Sequence, residues 1–145
     1  MSMVIEHIDA IARQKQRDVL FVAFHRSAPA TVDGEEILDH SRQEWETLPI
    51  RQQIIDWLDD QGIGWARCGP FADTRLMTGY QGQLYIDVPY DKSLSAFQAV
   101  EKLLEFPDGR MRFPDATFYC CPLDQAMTNA AHDEPGFWER WADNF

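Results

Sequence analysis

The stretch Gln83-Leu84-Tyr85-Ile86-Asp87-Val88, closed by Pro89, decides how the rest of the chain is read. Leu84, Ile86 and Val88 alternate with Tyr85 and Asp87, the period-2 pattern of a strand with one apolar face and one face left for something polar. The pattern predicts a central strand in a sheet covered by helices on one side only.

On the N-terminal side of this strand, Ile63–Cys68 is short and alternating and is stopped by Gly69-Pro70, which reads as an edge strand. Residues 69–82, Gly-Pro-Phe-Ala-Asp-Thr-Arg-Leu-Met-Thr-Gly-Tyr-Gln-Gly, form a long connection between the two, the first place to look for a binding site. Before the edge strand, Ile50, Ile54, Trp57 and Leu58 mark an apolar helical stripe that starts at Pro49, with Gly62 placed for a left-handed C-cap. A further helix is expected from Glu35 to Trp45, with Ile37 and Leu38 inward, and residues 26–34 carry loop chemistry. Val19-Leu20-Phe21-Val22-Ala23-Phe24-His25, opened by Asp18, is a nearly continuous apolar run, so it predicts a strand buried on both sides. Residues 3–16 repeat Val4, Ile5, Ile8, Ile11 and Ala12 at helical spacing, a helix added in front of the core.

On the C-terminal side, Asp91 or Ser93 is placed to cap a helix whose stripe is Leu94, Phe97, Val100 and Leu104. Phe106-Pro107-Asp108-Gly109 ends it. Ala116–Cys121, stopped by Pro122, is the last strand, and residues 123–131 predict a short helix. Pro135 then opens an aromatic C-terminal helix carrying Phe137, Trp138 and Trp141.

Strand, helix, strand, strand, helix, strand is the order of a ferredoxin-like α+β sandwich, with one extra helix at each end and sheet order 4-1-3-2. At 145 residues the chain is expected to be a single α+β domain, 1–145, large enough to bury a core without staples. Hydrophobic residues at 45% and charged ones at 26% fit a globular protein. No apolar run reaches the length of a membrane span, and the start reads as an amphipathic helix instead of a signal peptide, so the cytoplasm is the expected location. Three cysteines, Cys68, Cys120 and Cys121, are expected as free thiols, because adjacent strand side chains point to opposite faces.

The formal net charge is −11, unevenly placed. Residues 33–61 hold nine carboxylates against two arginines, and residues 115–145 hold six against one. Such a field repels nucleic acid and anionic membranes and favours encounter with a basic partner.

In the expected topology Tyr85 and Asp87 face away from the helices, joined by Trp65 and Arg67 on one side and Tyr119 on the other. An aromatic face with one carboxylate and one guanidinium must then be covered by the C-terminal helix, a second subunit or a ligand. Asp87 is expected to pair with Arg67. His25 and Cys68 end at one rim of the sheet, where His25 is a candidate base and Cys68 a candidate nucleophile beside it. Cys120, Cys121, Tyr90 and Asp91 end at the opposite rim. That separation and the absence of C-x-x-C or H-x-x-x-H spacing argue against a metal, and nothing calls for a cofactor. His132-Asp133-Glu134 reads as a helix start, and Gly79-Tyr80-Gln81-Gly82 lacks the strand–helix context of a phosphate loop.

Two functions follow as expectations. The first is a non-catalytic acidic protein-binding module, of inhibitor, immunity-type or regulatory kind, with a basic protein partner and no nucleic acid or membrane. The second is a small-molecule-binding protein or enzyme using the open sheet face and the 69–82 loop, with His25, Cys68, Tyr80, Tyr85 and Asp87 as lining. A homodimer packed sheet to sheet is compatible with either.

Overall fold

The computed structural model describes residues 5–25, 31–32, 35–36, 45–72 and 80–143. Its centre is an antiparallel four-stranded sheet of β1 (Val19–Phe24), β4 (Trp65–Arg67), β5 (Leu84–Ile86) and β6 (Ala116–Cys121), ordered β4-β5-β1-β6. With helices on its faces, this makes the fold α+β. The apolar run of β1 is central, as its composition requires, and β4 and β6 are the edges. A second pairing joins β2 (Thr31–Val32) to β3 (Glu35–Glu36). The helix expected from Glu35 therefore begins as strand instead, and its inward Ile37 and Leu38 lie outside the described residues, as do 73–79 of the long connection.

Helix α2 (Pro49–Gln61) has Pro49 in its first turn and ends at Gly62 in the left-handed conformation, φ 70°, whose N–H reaches back to Asp59 and Leu58. Helix α3 (Ser95–Leu104) buries Phe97, Val100 and Leu104. Its N-cap is Leu94; Asp91 instead accepts the Ser93 N–H at 2.9 Å and hydroxyl at 2.6 Å in the turn just before. Both helices lie on one face of the sheet, over Leu20, Val22, Phe24, Leu84, Ile86 and Ala116.

The other face is also covered, contrary to expectation. Helix α1 (Ile8–Lys15) lays Ile8, Ile11 and Ala12 against Val19, Cys68, Tyr85 and Cys121, with Ala126 of α4 (Leu123–Ala126) beside them. All three residues of β5 are buried, Tyr85 at 5% exposure. The alternation misled because tyrosine is a large apolar ring with one polar tip: the ring enters the core and only the hydroxyl stays at the rim. Among the described residues α1 covers this face around Tyr85, while Tyr119 farther along it remains 47% exposed.

Trp65 and Arg67 also lie on the opposite face from the one expected. The register pairs Trp65 with Ile86, Ala66 with Tyr85 and Arg67 with Leu84, and directly opposed residues share a face. Tyr119 does share the Tyr85 face, through the row Tyr85–Phe21–Tyr119. After α4, a 3₁₀ helix (Met127–Asp133) leads to α5 (Phe137–Asp143), which rests on His132 and His7 instead of covering the sheet. The side chain of Trp141 lies outside the described residues.

Candidate functional site

The expected site residues do not converge. His25 is exposed beyond the end of β1, with Nε2 3.1 Å from the Thr117 hydroxyl. Cys68 is fully buried under α1, and burial pushes its thiol up to about 12, with a smaller contribution from Cys121. A buried thiol held in its neutral form is a poor nucleophile, and the hydrogen bond seen on the His25 ring goes to Thr117. Cys120 and Cys121 are likewise pushed up to about 11, chiefly by burial, and all three cysteines are free. Although their strands end at opposite rims, Cys68 and Cys121 line the same cluster.

Tyr85 and Asp87 do meet, but with Arg17 in place of Arg67. The Tyr85 hydroxyl donates to Asp87 Oδ1 at 2.7 Å, and Arg17 Nη2 donates to that oxygen at 2.8 Å and to the hydroxyl at 3.2 Å. Lys15 adds a longer contact to Asp87, 3.8 Å. Burial, reinforced by the Asp87 carboxylate, holds the Tyr85 phenol well above its usual value, so it serves as a hydrogen-bond donor. The three-residue connection from α1 to β1 brings Arg17 to this rim, which no strand pattern in the sequence reveals.

Arg67 pairs across the β4 edge with Glu46 at 2.6 Å, and Tyr80 donates to the same carboxylate oxygen at 3.0 Å. Arg51, buried at the start of α2, donates to the Gly82 carbonyl and the Tyr80 hydroxyl, each at 2.9 Å. Gly82 has φ 84°, and a Cβ there would stand 3.2 Å from that of Trp45, so the chain turns tightly against the helix start. Arg67 and Tyr80 therefore act together as a clamp on the end of the long connection. Trp65 is held elsewhere, its indole N–H donating to Asp59 at 2.9 Å.

A third polar network went unread in the sequence, although Asp9 and Arg13 are one helical turn apart. Asp9, fully buried, accepts from Arg13 at 2.9 Å, from the Asn129 amide at 3.0 Å and from the Ala72 N–H at 3.0 Å. Arg13 also reaches Asp133 with two parallel bonds, 2.8 and 2.9 Å, and the Ala126 carbonyl at 3.0 Å. The hydrogen bonds from Arg13 hold the Asp133 carboxyl below its usual range. Neighbouring His132 is lowered, mainly by burial, and packs against both Phe137 and Trp138. These contacts fix α1 to the C-terminal segment and have the character of a structural fastening.

The described surface also carries an open groove of about 280 Å³ between α3 and β6, where Phe97, Phe118 and Tyr119 are joined by Glu101, Glu105 and one cation, Lys92. A shallower depression of about 520 Å³ continues it toward the turn after α3 and shares both glutamates. Nothing in the strand and helix patterns pointed to this groove. Among the described residues no three His, Cys, Asp or Glu side chains come together as a metal site, and no helix is long and apolar enough to cross a membrane. Comparison with protein-family models, curated proteins and solved structures finds no match to this chain.

Proposed function

We propose that this is a non-catalytic protein-binding module whose partner is a basic protein, on a single-domain scaffold of ferredoxin-like topology. The strand order β4-β5-β1-β6, read from the β6 edge and numbered among the four sheet strands, is 4-1-3-2, which supports the scaffold. The observation that carries the function is the placement of the acidic excess. Asp56, Asp59 and Asp60 stand exposed along α2, and their partners among the described residues are the Gln52 amide and the Trp65 indole, neither of them a cation. A net charge of −11 with outward carboxylates that lack counter-charges attracts a cationic surface and speeds its encounter. The small-molecule reading, which uses the sheet face and the 69–82 loop, draws less support because α1 packs on that face around Tyr85.

The test begins with affinity capture from the native host and continues with the purified pair. Association should weaken at least tenfold between about 50 and about 500 mM salt, as screened charge attraction requires. Affinity that stays level across that range removes the electrostatic partner from consideration.

A further inference from the structure

The two edges of the sheet are treated differently. β4 is three residues long, and the His7–Gly69 bridge brings the start of α1 alongside the chain just after it. β6 has six residues, no proline or lysine among them, and among the described residues no strand pairs with its outer side. Exposed edges of that length are ordinarily blunted by charge, proline or a bulge, because their free N–H and C=O groups template further pairing.

The ladder identifies which groups are free. The bond from the His25 N–H to the Asp115 carbonyl, 3.0 Å, sets the alternation, so Thr117, Tyr119 and Cys121 turn their backbone groups to β1. Phe118 and Cys120 turn theirs outward. The β4–β5 bonds Asp87 N–H to Gly64 and Cys68 N–H to Gln83 fix the same alternation from the other side of the sheet.

We propose that the outer edge of β6, together with the groove beneath α3, takes up an extended segment of the partner that alternates basic and apolar residues, adding it as a fifth strand. The inference rests on the reading of a basic protein partner and says where and how that partner is held. In an antiparallel addition, residues opposite Phe118 and Cys120 exchange both backbone bonds and send their side chains into the groove. A lysine there lays its aliphatic stem on Phe97 and Phe118 and brings its ammonium to Glu101 and Glu105. The intervening residues fall on the other face beside Tyr119, which is 47% exposed and stacked on Phe21 at 5.2 Å.

The charges favour a cationic guest. Burial and the neighbouring Glu101 raise the Glu105 carboxyl despite Lys92 nearby, so a further positive group is welcome at that point. A second copy of this chain is the poorer occupant. Two-fold pairing of β6 with itself would set Glu101 and Glu105 of both copies on one side, between subunits each of charge −11.

The probe is a fluorescent seven-residue peptide alternating Lys and Val, titrated against the intact protein. N-methylation of the lysine amides, which face β6, should weaken binding about tenfold or more, the loss of two backbone bonds. N-methylation of the valine amides, which face away, should change it less than about threefold. Glu101→Gln with Glu105→Gln should weaken binding about tenfold, and Asp56→Asn with Asp60→Asn, the same charge loss on α2, less than about twofold. Equal losses from the two N-methyl peptides, or from the two double variants, overturn the edge site. So does light scattering that shows a dimer dissociated by the peptide, because the edge then belongs to a second copy. If no peptide binds while the captured pair remains salt-sensitive, the edge site falls and the basic partner stands. A captured pair insensitive to salt removes the partner reading itself.

Discussion

The two faces of the sheet are closed by different means. Under α2 and α3 the contact is mainly apolar, with Ile54, Leu58, Phe97, Val100 and Leu104 over the sheet and Arg51 the one buried polar residue of these two helices. Under α1 the apolar cluster is smaller, and the helix is fastened at its edge by Asp9, Arg13, Asn129 and Asp133. Where apolar area is ample, packing does most of the positioning of a helix. Where it is limited, directional hydrogen bonds between buried polar groups select one docking geometry, at the risk of a large loss if any partner is removed.

The largest effects test that contrast directly. Asp9→Ala removes few atoms yet leaves Arg13, Asn129 and the Ala72 N–H short of an acceptor, and should cost about 3–5 kcal/mol in urea unfolding. Leu104→Ala on the apolar face should cost about 2–5 kcal/mol by transfer and cavity formation alone. A cost for Asp9→Ala below about 1 kcal/mol would mean that α1 is held by packing like its counterparts.

Acid sharpens the same comparison. The folded His132 lies below its ordinary 6.5, so the unfolded chain takes up the proton first. Its contribution is full above about pH 6.5 and is lost as the pH falls through the folded value. His132 Nδ1 is buried without a hydrogen-bond partner among the described residues, and burial outweighs the pull of the Asp9 and Asp133 carboxylates on the charged ring. Asp133, held below its ordinary 3.8, has the same sign: its contribution is present above about pH 4 and lost as the pH falls through its lower folded value. Hydrogen exchange should therefore show α1 losing protection before α3 between pH 7.5 and 5, with His132→Gln abolishing that step. Parallel loss in both helices would show that the faces open as one unit.

The smallest effect belongs to the rim. Asp87 is 44% exposed on its side chain, and Asp87→Asn should change stability by no more than about 1 kcal/mol despite its three partners. A larger loss would place the Tyr85–Asp87–Arg17 group among the structural fastenings.

Much of the scaffold was legible because it rests on local pattern. The run Val19–Phe24, the stripe of α2 with its Pro49 and Gly62, and the stripe of α3 each state their element within one window of sequence. The β2–β3 pair was not legible, because Glu35-Glu36 carries no strand pattern and follows Asp33-Gly34 in a segment read as loop running into helix. Of the site, only the Tyr85–Asp87 contact and the placement of Tyr119 followed from period 2. Arg17, Glu46, Arg51 and Asp133 come from distant segments, and contacts across 21 to 120 residues leave no local spacing to read.

By itself, then, the sequence determined the kinds and order of the core elements, the acidic balance and the centrality of β1, because propensity, periodicity and formal charge are local or additive. The tertiary structure alone decided that α1 packs on the second face, that Trp65 and Arg67 turn toward α2 and α3, and that among the described residues no strand pairs with the outer edge of β6. Those outcomes depend on strand register and on helix docking, where a shift of one residue exchanges the faces of a strand and a few buried hydrogen bonds select one docking geometry.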